Sequence, residues 1–281
     1  MSQQLQGQTL RLEAKSPFEL RVDMGRGVGE SAIKTALVTG EMGFLHSFTT
    51  GSAVDGPGIR VVGWTAGCQW KCQFCHNPDT WNMMNGMPVT IERATAELRK
   101  YRHGLKIMSG GFTLSGGEPL MQDRFVVRLF AAAQAMGIHT CLNTNGGLGA
   151  RLTDDELELA DLVIMDLKTW DPAAHLRLTG KDVGPTLEFA RRLASKKRPL
   201  WLRFLLIPGV TENDEDIARV ASFAGALGNV ERIDVLPFHQ MGKFKWQALG
   251  LNYALENTAP PTPEQVEHAC ELFRAEGLKA Y

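Results

Sequence analysis

The chain has 281 residues and a formal net charge of -1. That length supports one large α/β domain or two small ones, and apolar residues, at 44%, are enough for a sizeable core. A near-neutral balance gives no electrostatic reason to expect nucleic acid or an anionic membrane as a partner.

The opening stretch, MSQQLQGQTLRLEAKSPFELRV, has no continuous apolar segment of the kind a secretory signal needs. No run approaches the roughly 18 apolar residues of a membrane span. The expectation is a cytoplasmic protein whose five cysteines serve a metal site rather than disulfides.

Residues 1–40 mix both charge signs with scattered glycines and show no sustained period. They read as a weakly ordered extension, with residues 41–281 as the single catalytic domain. From Gly43 onward, short β-branched runs alternate with segments of helical period. Ile59 to Trp64 reads as a first strand, and Thr90 caps a helix running to about Tyr101. Phe112 to Leu114 is a second strand, Asp123 to Met136 a helix closed by Gly137, and Ile138 to Thr144 a third strand. Thr153 and Glu156 make a capping box. Leu162 to Leu167 is the fourth strand, and a helix from about Thr186 to Lys196 precedes the fifth, near Trp201 to Ile207. Thr211 is expected to cap a helix ending near Gly228, and Ile233 to Leu236 is the sixth strand. Thr262, Pro263 and Gln265 start the last long helix. Such alternation implies parallel strands joined by right-handed crossovers. Six units are too few for a closed eight-stranded barrel, which leaves an open partial barrel or a doubly wound sheet.

The string G-C-Q-W-K-C-Q-F-C-H-N-P places Cys68, Cys72 and Cys75 in a C-x3-C-x2-C loop after the first strand. Structural zinc and common four-iron clusters each take four protein ligands. Cys141 lies in a strand and Cys270 in an amphipathic helix, where cysteine behaves as a small apolar residue. Three thiols leave a coordination position open, the mark of a reactive centre. A zinc knuckle completed by His76 is the alternative on spacing alone. Three other motifs have bland readings too. S-G-G-E-P is good turn chemistry, D-G-P-G suits a β-turn, and D-L-K can be a solvated strand end.

The C-x3-C-x2-C loop resembles that of the radical S-adenosylmethionine superfamily. The strings D-G-P-G-I-R and C-Q-W-K-C-Q-F-C-H-N-P-D-T-W resemble the glycyl-radical enzyme activases within it. Y-R-H at 101–103, S-G-G-E-P, G-I-H-T-C-L-N-T-N-G, D-L-K and L-P-F-H-Q-M-G-K-F-K-W extend the likeness over residues 43–281. The resemblance implies a partial (β/α)6 barrel of the TIM type, with its chemistry at the C-terminal ends of the strands. It also implies that Cys68, Cys72 and Cys75 ligate a [4Fe–4S] cluster, whose fourth iron chelates the amino and carboxylate groups of S-adenosylmethionine.

The other roles come from the same likeness. Gly116 and Gly117 let backbone approach the methionine end, and the Glu118 carboxylate accepts from its ammonium. Asp166 and Lys168 reach the ribose and carboxylate, while Phe74 and His239 flank the nucleoside. Arg203 pairs with the cofactor carboxylate or a substrate carbonyl. Asp55 holds the target glycine loop. Relatives often carry aspartate where this chain has Asn143, beside Thr144 and Asp166, and bind a monovalent cation there. Asparagine keeps an oxygen but removes a full charge, which implies weak cation binding or none. The implied partner is pyruvate formate-lyase, presenting a glycine on a loop, with a flavodoxin or ferredoxin as electron donor. Activation of a different glycyl-radical enzyme is the alternative. The lack of extra cysteines between Cys75 and Cys141 argues against the activases that carry a ferredoxin-like insert.

Overall fold

The computed structural model describes residues 30–281. The expected character of residues 1–29 lies outside the described residues. The part of the extension that is described includes a helix, Glu30–Thr39. It ends against the helix Asp123–Ala135, where Arg128 Nε donates to the Thr39 carbonyl at 2.7 Å.

Eight strands make one sheet: β1 Met42–Ser52, β2 Arg60–Thr65, β3 Met87–Thr90, β4 Gly111–Gly116, β5 His139–Thr144, β6 Leu162–Asp166, β7 Leu200–Leu206 and β8 Val230–Pro237. Their order is β3-β1-β2-β4-β5-β6-β7-β8. The six expected strands are β2 and β4 to β8, each parallel to its neighbour. Two antiparallel strands, β1 and β3, extend the β2 edge. Their sequences hide them. β1 has no sustained apolar alternation over Ser47–Ser52, and β3 is four residues long with Pro88 inside it.

Each parallel strand has two packed faces. Val163 and Met165 of β6 point into the main core, while Leu162 and Ile164 join Cys141 on the opposite, inner face. β7 repeats the pattern, with Leu202 and Phe204 on the helix side and Trp201 on the inner side. This two-residue period is the physical basis of the uninterrupted apolar strand signal. Helices cover the outer face, as with Asp123–Ala135, which buries Phe125, Val126, Leu129, Phe130 and Ala133.

The sheet curls without closing. Three strands separate β2 from β7, a span of about 19 Å in a flat sheet. Yet Arg203 of β7 donates from Nη2 to the carbonyl of Val54, just ahead of β2, at 2.6 Å. Arg60, wholly buried at the base of the inner face, gives the curl a polar floor. It donates to Thr113 Oγ1 (3.0 Å) and to the carbonyls of Phe112 (2.7 Å) and Pro57 (3.3 Å).

The capping boxes at Thr153 with Glu156 and at Thr262 with Gln265 both form, the second with Pro263 in the first turn. Thr211 does not cap its helix. The helix is Asp214–Leu227, and Asn213 accepts from the Asp216 N–H. Thr211 instead accepts from Ile207 N (2.7 Å) and donates to Leu205 O (2.6 Å), fastening the turn after β7. Asn213→Ala should therefore destabilise the fold by about 1 kcal/mol, the usual loss for a helix cap. Urea unfolding of the variant beside the natural chain measures it, and an unchanged midpoint would contradict the assignment.

Candidate functional site

Cys68, Cys72 and Cys75 are half-buried on the loop that leaves the C-terminal end of β2. Burial dominates their chemistry. It pushes the Cys68 thiol up to about 12, with Glu118 adding to the effect, and lifts Cys72 and Cys75 as well. Such thiols stay protonated near neutrality unless a metal displaces the proton. Among the described residues, no three His, Cys, Asp or Glu side chains gather where a single ion could sit. A mononuclear zinc site is thus poorly matched. An extended cluster, with each sulfur on a separate iron, suits the donor set. His76 is also taken. Its ring stacks on His239 at 4.1 Å between centroids, and its Nε2 lies 3.2 Å from the His239 carbonyl.

Neighbouring elements hold the loop's backbone along its length. Gly67 N donates to Thr80 O (2.7 Å) and Cys68 N to Trp81 O (3.2 Å). Lys71 N and Gln73 N donate to the carbonyls of Thr179 and Leu178, both at 2.9 Å, at the end of the helix Pro172–Thr179. Trp246, on the helix Lys243–Ala248, donates from its indole to the Cys75 carbonyl at 2.8 Å. Gly242, just before that helix, sits so close that a Cβ there would lie 2.7 Å from His76 Cα.

The S-G-G-E turn after β4 is built for contact with the cysteine loop. A Cβ on Gly116 would collide with the Thr65 backbone, and one on Gly117 with the Gly67 carbonyl. Both glycines are therefore required by the approach of two protein backbones, whatever else binds there. Glu118 departs from expectation. Its carboxylate is fully buried and accepts from Leu120 N (2.9 Å), Thr144 Oγ1 (2.8 Å) and Asn145 N (2.8 Å). With three donors from the chain and no exposed surface, it ties β4 to β5 instead of offering itself to an ammonium. Thr144 is held the same way, 2% exposed and also accepting from Gly146 N at 3.0 Å.

Strand register gathers several of the remaining residues on the inner face. Ser115 and Asn143 meet across β4 and β5, with Asn143 Nδ2 donating to Ser115 Oγ at 3.0 Å. Asp166 lies opposite Arg203 in the β6–β7 pairing. Lys168 Nζ sits 3.1 Å from Asp166 Oδ1 and 4.8 Å above the Phe74 ring. That brings Phe74, Asp166 and Lys168 together beside Cys72 and Cys75. Phe74 itself is 7% exposed and packs with Phe238, Trp246 and Tyr253.

Asp55 stands apart, before β2 and at the opposite end of that strand from the cysteines. Its carboxylate accepts from Ser52 Oγ (2.6 Å) and faces Arg203 Nη2 at 3.6 Å. Arg203 is accordingly engaged with the Asp55 loop and not with the cysteine group.

A linked set around Asp79 has no counterpart in the sequence motifs' expected roles. Asp79 accepts from Lys245 Nζ (3.0 Å) and lies 2.9 Å from His46 Nε2, joining β1, the cysteine loop and the helix Lys243–Ala248 through one carboxylate. Those contacts hold it below its ordinary value despite burial. D-T-W and K-F-K-W carry the signal, but nothing in linear sequence says that they touch.

The radical SAM superfamily model matches residues 62–221. The chain is 41% identical over 240 residues to the pyruvate formate-lyase 1-activating enzyme of Escherichia coli strain K12, covering 85% of this chain and 98% of that protein. It is 40% identical over 242 residues to the pyruvate formate-lyase-activating enzyme of Staphylococcus epidermidis, covering 84% and 96%. Among solved structures, a domain of a pyruvate-formate lyase-activating enzyme from Bacteroides vulgatus aligns with TM-score 0.51 and 25% identity, over 61% of this chain and 98% of that one. Streptococcus suis SuiB bound to S-adenosylmethionine aligns with TM-score 0.57 at 15% identity, over 77% and 48%, a likeness of fold.

Burial outweighs the three donors at Glu118 and raises its carboxyl from 4.5 to about 7. The folded state thus holds this proton more tightly than the unfolded chain. Stability from this group is greatest below pH 4.5 and declines as pH rises toward about 7. Glu118→Gln should flatten that part of the stability profile while lowering stability overall, because an amide N–H₂ must then face a backbone donor. Thermal melts of the metal-free protein across this window read both effects. A slope as steep as that of the natural chain would contradict the assignment of this proton to Glu118.

Proposed function

Given that the chain belongs to the radical S-adenosylmethionine superfamily and, within it, to the pyruvate formate-lyase-activating enzymes, we propose that it installs a glycyl radical on pyruvate formate-lyase. The observation that carries the reading is the three-thiol loop at the C-terminal end of the parallel strands. When bound, the [4Fe–4S] cluster supplies one electron that splits S-adenosylmethionine into methionine and a 5′-deoxyadenosyl radical, which takes a hydrogen atom from the partner's glycine.

The chain's own residues bind, orient and shield. Cys68, Cys72 and Cys75 hold three irons and leave the fourth position open. The Gly116–Gly117 backbone meets the methionine end, with Glu118 fixing that turn from behind. Lys168, steered by Asp166, meets the cofactor carboxylate and ribose. Phe74 backs the nucleoside from the apolar side, and His239, stacked on His76, stands toward its other face. Arg203 and Asp55, paired across the inner face by the segment ahead of β2, receive the glycine loop. Residues 41–281 form this catalytic unit and residues 1–40 an extension to it. The electron donor is a flavodoxin or ferredoxin. No described helix is long and apolar enough to cross a membrane, in keeping with a cytoplasmic site of action.

The reconstituted, reduced protein mixed anaerobically with S-adenosylmethionine and pyruvate formate-lyase should give a glycyl doublet by electron paramagnetic resonance. A doublet only with a different glycyl-radical enzyme would redirect the partner, and no doublet with any would refute the reading. Asn143 bears on the monovalent cation. With an amide donating to Ser115 and no carboxylate charge, activity should depend little on potassium or sodium, whereas Asn143→Asp should gain dependence. Equal cation activation of both forms would rule this out.

A further inference from the structure

An apolar nest packs against the cysteine loop, and it contains a hydroxyl that has no hydrogen-bond partner. Tyr253, 6% exposed, shares this nest with Phe74, Leu205, Phe238 and Trp246, and Cys72 and Cys75 pack against it. Among the described residues, five buried side-chain polar atoms lack a partner. Four belong to side chains that bond through another atom: His175 through Nδ1, Arg198 and Arg203 through Nη2, and Asn229 through Nδ2. Tyr253 is different, because the hydroxyl is its only polar group. A buried donor with its bond unmade is a net loss, and phenylalanine would fill the same space without it.

The chain nevertheless holds this side chain firmly. The Tyr253 ring lies 5.2 Å from that of Trp246, whose indole already donates to the Cys75 carbonyl at 2.8 Å. Gln240 Nε2 donates to the carbonyls of Leu255 (3.2 Å), Glu256 (2.8 Å) and Thr258 (2.8 Å), pinning the turn that follows Tyr253. Burial raises the hydroxyl above its ordinary value of 10.0, and Cys75 is the group that adds to the rise. The phenol therefore stays a donor, and the charge it feels is that of a cluster ligand. Cys75 takes a side-chain hydrogen bond from Trp81 as well.

We infer that the Tyr253 hydroxyl donates to the Cys75 sulfur once that sulfur ligates the cluster, and so sets how easily the cluster is reduced. The inference rests on the proposed function only for the presence of the cluster. A protonated thiol is a weak acceptor, whereas a metal-bound thiolate carries charge that a buried donor can satisfy. Reduction adds more negative charge at the sulfurs, so a donor fixed there favours the reduced form. Tyr253 acts through Cys75. It touches neither S-adenosylmethionine nor the glycine, and it gives up no proton.

Potentiometric titration of the reconstituted protein, read by electron paramagnetic resonance, tests this with Tyr253→Phe, which keeps the ring and removes the donor. The variant should take up iron and sulfide like the natural protein. Its cluster should be about tenfold harder to reduce, a midpoint about 59 mV lower for a one-electron couple. Electron–nuclear double resonance of the reduced natural protein should show a proton coupling that vanishes in deuterated water and in the variant. The metal-free variant should melt no earlier than the metal-free natural protein, since the hydroxyl has no bond to lose there. An unchanged midpoint would overturn the inference, and so would a proton coupling that survives in the variant. A metal-free variant that melts several degrees earlier would also overturn it, by placing the hydroxyl's partner within the chain. A cluster whose signal ignores S-adenosylmethionine would overturn the proposed function and leave the midpoints to decide this inference. A natural protein that takes up no four-iron cluster would overturn both.

Discussion

The cysteine loop is held by its backbone, from three directions. The turn at Thr80 and Trp81 receives its first N–H groups, the end of the helix Pro172–Thr179 its middle, and Trp246 its last cysteine carbonyl. A loop carrying three half-buried thiols has little regular structure of its own, and unpaired backbone groups there would each cost of the order of 1–3 kcal/mol. Pairing them with distant elements satisfies that demand and fixes where the sulfurs stand. Positions as remote in sequence as Leu178 and Trp246 therefore belong to the same device.

The curl of the sheet comes from the same economy of contacts. Glycines at 116 and 117 let the β4 turn press on the cysteine loop, and Glu118 gathers donors from the turn after β4 and from the end of β5 beneath it. At the other end, Arg60 and Arg203 bind carbonyls of the segment ahead of β2 and draw the strands round. The inner face is left polar near the strand C-termini and apolar further in, where Cys141, Leu162 and Ile164 pack with Trp201, above the buried and fully bonded Arg60. A polar mouth over a buried interior is a fitting place for chemistry that water would quench.

Much of this is legible from residues alone. Six parallel strands are expected from runs such as Leu162–Asp166, whose two faces are both buried, and Cys141 and Cys270 are buried as expected. β1 and β3 are not legible, because the part of β1 beyond its pairing with β3 and the four-residue edge strand β3 stand half in solvent and carry no uniform apolar signal. Asn213 displaces Thr211 as the helix cap since both residue types suit the role and only the turn after β7 decides between them. At the site, the structure brings the cysteine loop, Phe74, Asp166 and Lys168 together, while their roles toward a cofactor belong to the proposed function. Glu118 shows the limit of sequence motifs. A motif can mark where a carboxylate is needed without telling whether it faces a ligand or the chain, and here burial and three donors decide for the chain.

The central claim is that three thiols hold the cluster and no fourth does. Alanine replacements at each of the five cysteines, reconstituted anaerobically and assayed for iron and sulfide, test it directly. Cys141→Ala and Cys270→Ala should retain a four-iron cluster, while Cys68→Ala, Cys72→Ala and Cys75→Ala should each lose it. Loss of the cluster on replacing Cys141 or Cys270, or binding of a single zinc in its place, would contradict that claim.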